Sequence, residues 1–296
     1  MKNYISFPGL GIDEFSVKEV AFSIFERDVA WYGIIITVGI ILAVSYVMNR
    51  AKYYEGIDED DILDFAIFVI PLAIVGARAY YVLTSLDQYH SFKEMIAIWE
   101  GGLAIYGAVI GGALTALVVC LVKKIKILKM YDMLVPGVMI GQMIGRWGNF
   151  VNAEAYGEVT DIFIRMGIRT EYMTEAMYVH PTFLYESLWN LVGFLLINSY
   201  YKKKKYHGEI FFMYAAWYGF GRFLIEGLRT DSLYVGPFRI SQVVGLVSFA
   251  VGIVFLVVLY FKKARGAQPI LEKEGTLISK AEYKEKRKEK QNGKNN

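Results

Sequence analysis

One cysteine, Cys120, is all the chain holds, so no internal disulfide can form. It lies inside an apolar run, where burial in hydrocarbon favours packing over a nucleophilic role. Histidine is nearly as scarce: His90, His180 and His207 stand far apart, and no pair has zinc-ligand spacing. A di-iron bundle would need Glu-x-x-His on two helices. Three residues after Glu154, Glu186 and Glu226 come Gly157, Trp189 and Arg229 instead, so no metal and no other cofactor is expected. No internal repeat is visible, and the inverted-repeat signature of many transporters is missing with it. The first 28 residues include Asp13, Glu14 and Glu26 and lack the apolar core of a cleavable signal peptide. The first long apolar run is left to act as the insertion signal.

Such runs are what the chain has in quantity. The 296 residues are 55% hydrophobic and 16% aromatic, with a mean hydropathy of +0.35, which is far more apolar than a soluble domain. "VAWYGIIITVGIILAVSYVM" (Val29 to Met48) and "ISQVVGLVSFAVGIVFLVVLYF" (Ile240 to Phe261) are each long enough for a hydrocarbon core of ~30 Å. The expected fold is an all-α integral membrane protein. Its seven transmembrane helices fall near 29–48, 63–83, 102–122, 132–151, 182–201, 208–227 and 240–261.

Alternate links differ in basic residues. One set holds Arg50 and Lys52, then "KKIKILK", "KKKK" and the C-terminal stretch; the other holds Lys93, then Arg165 and Arg169, then Arg229 and Arg239. The first set is the more basic and belongs in the cytoplasm, which puts the N-terminus outside and the C-terminus inside. A membrane domain is expected over 1–261, with a small outer head at 152–181. A basic, flexible cytoplasmic tail at 262–296 should lie beside anionic headgroups. Gly107 and Gly111, and likewise Gly141 and Gly145, are four apart, a spacing that lets helices approach closely.

Charges within spans each cost about 2.5–3.5 kcal/mol on insertion scales, so each needs a reason. The chain places Arg78, Arg146, Glu154, Glu186, Arg222, Glu226 and Arg229 in or beside spans. In "WYGFGRFLIEGLR", Tyr218, Arg222, Glu226 and Arg229 follow at i, i+4, i+8 and i+11 and share one helix face. Tyr185 and Glu186 open another span. Pairing of Glu with Arg accounts for part of this set but leaves an Arg over, with Asn149 and Asn152 as further polar groups. A surplus of Arg facing lipid suits an anion, and phosphate is the anion a guanidinium matches best. In a membrane that means a phospholipid headgroup.

Four motifs then align in order with one family. "WEGGLAIYG" (Trp99 to Gly107), "GRWGNFVNAEAYG" (Gly145 to Gly157), "HPTFLYES" (His180 to Ser187) and "YGFGRFLIEGLRTD" (Tyr218 to Asp231) followed by "ISQ" resemble the bacterial prolipoprotein diacylglyceryl transferases, over about Trp31 to Phe261. The second motif matches a signature of the form G-R-x-G-N-F-x-N-x-E-x-x-G. The resemblance implies an enzyme of the bacterial plasma membrane and no nucleic-acid partner. It implies transfer of the sn-1,2-diacylglyceryl group of phosphatidylglycerol to the lipobox cysteine of a prolipoprotein, with glycerol phosphate leaving. It further implies catalytic roles for Arg146, Arg222, Glu154, Asn149 and the position of Tyr106. The headgroup is expected on Arg146, with Asn152, Gly157, Glu186, Tyr218, Glu226 and Arg229 lining the substrate site. Many members carry His where this chain has Tyr106. A phenol of pKa near 10 is a poor base at neutral pH. Either Tyr106 orients a group by hydrogen bonding, or a Glu or the departing phosphate takes the thiol proton. An anion or lipid transporter and a polytopic scaffold are the competing classes.

Overall fold

The computed structural model describes residues 2–25, 27–171 and 173–264. Nearly all of the tail expected at 262–296 lies outside the described residues. In chain order come strands β1 (Lys2–Phe7), β2 (Ile12–Lys18), β3 (Val20–Ile24) and β4 (Arg27–Ala30). Helices α1 (Trp31–Arg50), α2 (Glu59–Thr84), α3 (Phe92–Ile96), α4 (Ile105–Val122) and α5 (Ile127–Val151) follow. Strands β5 (Met166–Thr170) and β6 (Met177–Val179) precede helices α6 (Thr182–Tyr200) and α7 (Glu209–Glu226). Strands β7 (Tyr234–Val235) and β8 (Phe238–Arg239) lead into helix α8 (Ile240–Ala264). The fold is mostly helical rather than all-α. Each expected span is overlaid by one of the long helices, and α1, α2, α4, α5 and α8 are long and apolar enough to cross a membrane. α6 and α7 are more polar, because they carry Glu186, Asn190, Arg222 and Glu226.

The chain divides into two compact units. The first takes the described part of Met1–Tyr46 and Asp132–Gly275. Its small antiparallel sheet has the order β2-β1-β5-β6, so residues at the very N-terminus pair with the 152–181 segment. "KNYISF" alternates as a half-buried strand should: Asn3, Ile5 and Phe7 face inward. Ile5, Phe7, Met166, Ile168, Val179 and Phe183 form one buried core, with Phe150 packed against it. Phe150 at the end of α5 and Phe183 at the start of α6 lie 4.8 Å apart between ring centroids, and Trp147 lies 5.4 Å from Phe183. That aromatic contact holds the last turn of α5 against the first turn of α6.

The second unit, Val47–Tyr131 among the described residues, is built on α2 packed along α4. Gly76 and Gly107 face each other so closely that a Cβ on Gly76 would lie 2.6 Å from the main-chain oxygen of Gly107. Gly111 continues the seam, where a Cβ would meet Leu72 O at 2.8 Å. The expected close approach at Gly107 and Gly111 is therefore present. Gly141 differs: a Cβ there would meet nothing within 4 Å.

Candidate active site

The site of the first unit forms where α5 ends, α6 begins and α7 ends. Glu186 lies one turn into α6 and is buried. Its Oε2 pairs with Nη2 of Arg146 on α5. Its Oε1 lies 3.0 Å from Nη1 of Arg222 on α7 and 3.5 Å from Nη1 of Arg229 just beyond α7. One carboxylate thus serves three guanidinium groups. Glu226, only 1% exposed, takes a second ion pair from Arg222 (Nη2 to Oε2, 2.5 Å), as its i+4 position dictates. Arg229 grips Asp231 through Nε (2.9 Å) and Nη2 (2.6 Å). Burial alone would raise the Asp231 carboxyl, but this two-point contact outweighs it and holds the group below its usual range.

The expected Arg surplus is not found in this cluster. Asp231, which sequence reasoning left out, supplies a third carboxylate against Arg146, Arg222 and Arg229. Arg78 belongs to the second unit and is neutralised by no carboxylate among the described residues. It donates instead to four main-chain oxygens: Met95 (2.8 Å), Gly101 (2.6 Å), Gly102 (3.0 Å) and Glu94 (2.7 Å). That pins the 94–102 loop, where Gly101 and Gly102 take φ of 89° and 72°, conformations that favour glycine. Tyr106, in the same unit, sits in the first turn of α4 with its ring 6.4 Å from that of Tyr80.

Donor capacity nevertheless remains in the cluster. Arg146 gives Nη1 to Asn149 Oδ1 (3.2 Å) and Nη2 to Glu186, and Arg222 gives Nη1 and Nη2 to Glu186 and Glu226. A guanidinium has five N–H groups. Among the described residues, each of these two Arg side chains therefore keeps N–H groups that an anion can accept.

The turn after α5 is tightly tied. Asn149 donates through Nδ2 to Glu154 Oε1 (2.9 Å) while its main-chain oxygen accepts from Glu154 N (3.0 Å). Ala153 and Ala155 hold φ of 49° and 55°, a region that side chains other than glycine seldom adopt. Such strain persists only where the surroundings over-determine it. The Asn152 side chain makes no hydrogen bond among the described residues. Gly157 is needed for a close crossing: a Cβ would meet His180 Cβ at 2.6 Å and Leu228 O at 2.9 Å. Gly157 bridges to Arg229, and Glu158 N donates to Leu228 O (2.8 Å), so this crossing places Arg229. Tyr218 stacks on Tyr214, whose hydroxyl accepts from Gln142 Nε2 of α5 (2.9 Å).

Two further residues join the site that the motifs did not single out. Arg239 donates through Nη1 to the main-chain oxygen of Glu226, and its Nη2 lies 3.7 Å from Glu158 Oε1. Tyr32 on α1 lays its ring on Gly148, where a Cβ would come within 2.7 Å of it. A Tyr at a span end reads from sequence as an interfacial aromatic, which hides such a role. No group of His, Cys, Asp and Glu able to hold a metal occurs among the described residues.

These features define a multi-pass membrane protein with a buried Arg–carboxylate network at one end of its helices. A family model described as prolipoprotein diacylglyceryl transferase matches residues 19–258. The chain belongs to that family. It is 48% identical over 240 residues to the phosphatidylglycerol–prolipoprotein diacylglyceryl transferase of Finegoldia magna, covering 80% of this chain and 94% of the relative. It is 46% identical over 251 residues to the first such transferase of Clostridium perfringens, covering 82% and 95%. Against the same-named protein of Listeria innocua the identity is 43% over 241 residues, covering 79% and 87%.

Proposed function

We propose that this chain transfers the sn-1,2-diacylglyceryl group of phosphatidylglycerol to the lipobox cysteine of prolipoproteins, in the bacterial plasma membrane. The observation that carries the reading is the sharing of Glu186 by Arg146, Arg222 and Arg229, in a chain of this family. An Arg held by a shared carboxylate stays oriented yet keeps N–H groups for a phosphate.

In this reading Arg146 binds the phosphatidylglycerol headgroup, and Asn149, Asn152 and Glu154 orient it. Gly157, Glu186, Tyr218, Glu226 and Arg229 shape and support the substrate site. The peptide sulfur attacks the glycerol carbon that carries the phosphate. A carbon–sulfur bond forms as the carbon–oxygen bond breaks, and glycerol phosphate leaves with the bonding electrons. The thiol proton passes to a Glu carboxylate or to the departing phosphate, and Tyr106 orients by hydrogen bonding. Negative charge moves from sulfur to phosphate, so Arg146 and Arg222 stabilise it most where the medium is least polar. The nucleophile comes from the substrate, in keeping with the single buried Cys120.

Seven crossings with the N-terminus outside put the Arg cluster and a head containing 152–181 at the outer surface, and the basic tail from 262 onward in the cytoplasm. The test incubates purified protein with isotope-labelled phosphatidylglycerol and a lipobox peptide, and weighs the peptide. A mass gain of one diacylglyceryl group is expected. Lipid or anion flux in proteoliposomes with no covalent product would replace the transferase by a transporter.

A further inference from the structure

The β3–β4 ribbon plays no part in the chemistry above, and its two faces differ in kind. Phe22 stands opposite Val29 and Ile24 opposite Arg27, so these side chains share one face. Ser23 stands opposite Asp28 on the other face, where Ser23 Oγ donates to Asp28 Oδ1 (2.6 Å). Phe22 and Ile24 are each 50% exposed, and Phe25 at the turn is 97% exposed. Phe25 also holds φ at 47°, a conformation unusual for a bulky side chain. A turn that had only to reverse the chain in water would have Gly or Asn there.

The position of the ribbon is fixed. β4 ends at Ala30 and α1 begins at Trp31, with no linker between them. Trp31 N donates to Glu19 O (2.9 Å) and closes the base of the ribbon onto the head of α1. α1 is one of the helices apolar enough to cross a membrane, and its first turn lies beside the last turn of α5 through the Tyr32–Gly148 contact. The ribbon therefore starts at the membrane boundary, at the same end of these helices as Arg146. α1 itself exposes Val38, Ile41 and Leu42.

We infer that the β3–β4 ribbon is an interfacial anchor. It lies along the bilayer surface with Phe22, Ile24, Phe25 and Val29 in the boundary between headgroups and acyl chains and Ser23 and Asp28 facing water. Apolar side chains on one face and polar ones on the other suit that boundary, which interfacial elements enter by several ångströms. Arg27 sits at the turn end of the apolar face, where its guanidinium can reach lipid phosphates while its stem stays in the apolar layer. The occupant is the lipid surface itself.

The test uses the full chain in lipid nanodiscs containing phosphatidylglycerol. An environment-sensitive fluorophore is attached at Phe22→Cys, Ser23→Cys or Phe25→Cys, each in a Cys120→Ser background. Position 25 touches so little that a probe there cannot disturb the fold. Nitroxide-bearing lipids should quench probes at 22 and 25 several-fold more strongly than aqueous acrylamide does, with the order reversed at 23. Equal access from water at all three positions would overturn the anchor. So would shelter at 22 and 25 from both quenchers, which would mean that protein covers the face. Shelter that appears only when a lipobox peptide is added would make the face a peptide-docking surface instead.

Discussion

At the scale of single residues, the proposed reaction makes the shape of Arg146 more important than its charge. Its guanidinium divides between Asn149 and Glu186 and keeps further N–H groups that an anion can accept. A lysine at that point keeps the charge but cannot hold two partners in one plane. Arg146→Lys should lose one hydrogen bond to a charged group, about 1.5–3 kcal/mol, and so turn over ~10- to 100-fold more slowly. The measurement is the initial rate of peptide diacylglyceration; near-normal turnover would reduce Arg146 to a point charge. Tyr106→Phe tests a different matter. If the phenol only hydrogen-bonds, the loss should be about 10-fold, or ~1.4 kcal/mol. A general base would be missed by ~10²–10⁴-fold. The pH profile should also keep its shape if the phenol neither gives nor takes a proton in the reaction. Asp231 does not intrude either: its folded value is depressed, so its pairing with Arg229 is complete above the ordinary carboxyl range and fades only as pH falls below it. A loss beyond about a thousandfold, with the basic limb of the profile gone, would make Tyr106 the base.

At the scale of elements, the glycines separate two kinds of reading. Gly107 meets the main-chain oxygen of Gly76 and the Cβ of Tyr80 on α2, and neither can move without parting the helices. Gly107→Ala should destabilise the protein by about 1–3 kcal/mol. Gly141→Ala adds its methyl to open space, and the better helix propensity should make it neutral to stabilising by up to ~1 kcal/mol. Thermal unfolding of both variants in one detergent checks the contrast, and equal shifts would refute it. The four-residue spacing was legible at both pairs, but spacing carries no information about the surface opposite. The same limit applies elsewhere. The polar face of α7 could be read from the positions of Tyr218, Arg222 and Glu226, because helix periodicity is local. The pairing of β1 with β5 joins Asn3 to Thr170, and no local pattern announces a partner so far along the chain. The partners of Arg78 were not legible, because main-chain carbonyls leave no trace in side-chain sequence.

At the scale of the whole molecule, the question is whether α6 and α7 cross the membrane as the five more apolar helices can. The first unit itself supplies the argument. Asp132 lies near the start of α5 and Arg146 near its end, about 21 Å further along at 1.5 Å per residue. Arg146 meets Glu186 at the start of α6 and, through it, Arg222 near the end of α7. Asp132, fully buried, accepts from Gly208 N (2.8 Å) and Phe211 N (2.9 Å) and lies 3.4 Å from Lys204 Nζ, all in or beside the α6–α7 turn. α6 and α7 therefore run the length of α5 and back. With 19 and 18 residues they span about 27–28 Å, close to a hydrocarbon core of ~30 Å. Their polar residues fit within a membrane because Glu186 and Glu226 are ion-paired with Arg146, Arg222 and Arg229. Five crossings and seven leave the C-terminus on the same side, so a reporter there cannot tell them apart. The α6–α7 turn can. Lys203 is exposed in that turn, and Glu175 is exposed in the segment expected outside. In a Cys120→Ser background, Glu175→Cys should react with a membrane-impermeant maleimide on intact cells, and Lys203→Cys only after permeabilisation. Labelling of Lys203→Cys from outside would leave α6 and α7 as an outer hairpin and remove two crossings.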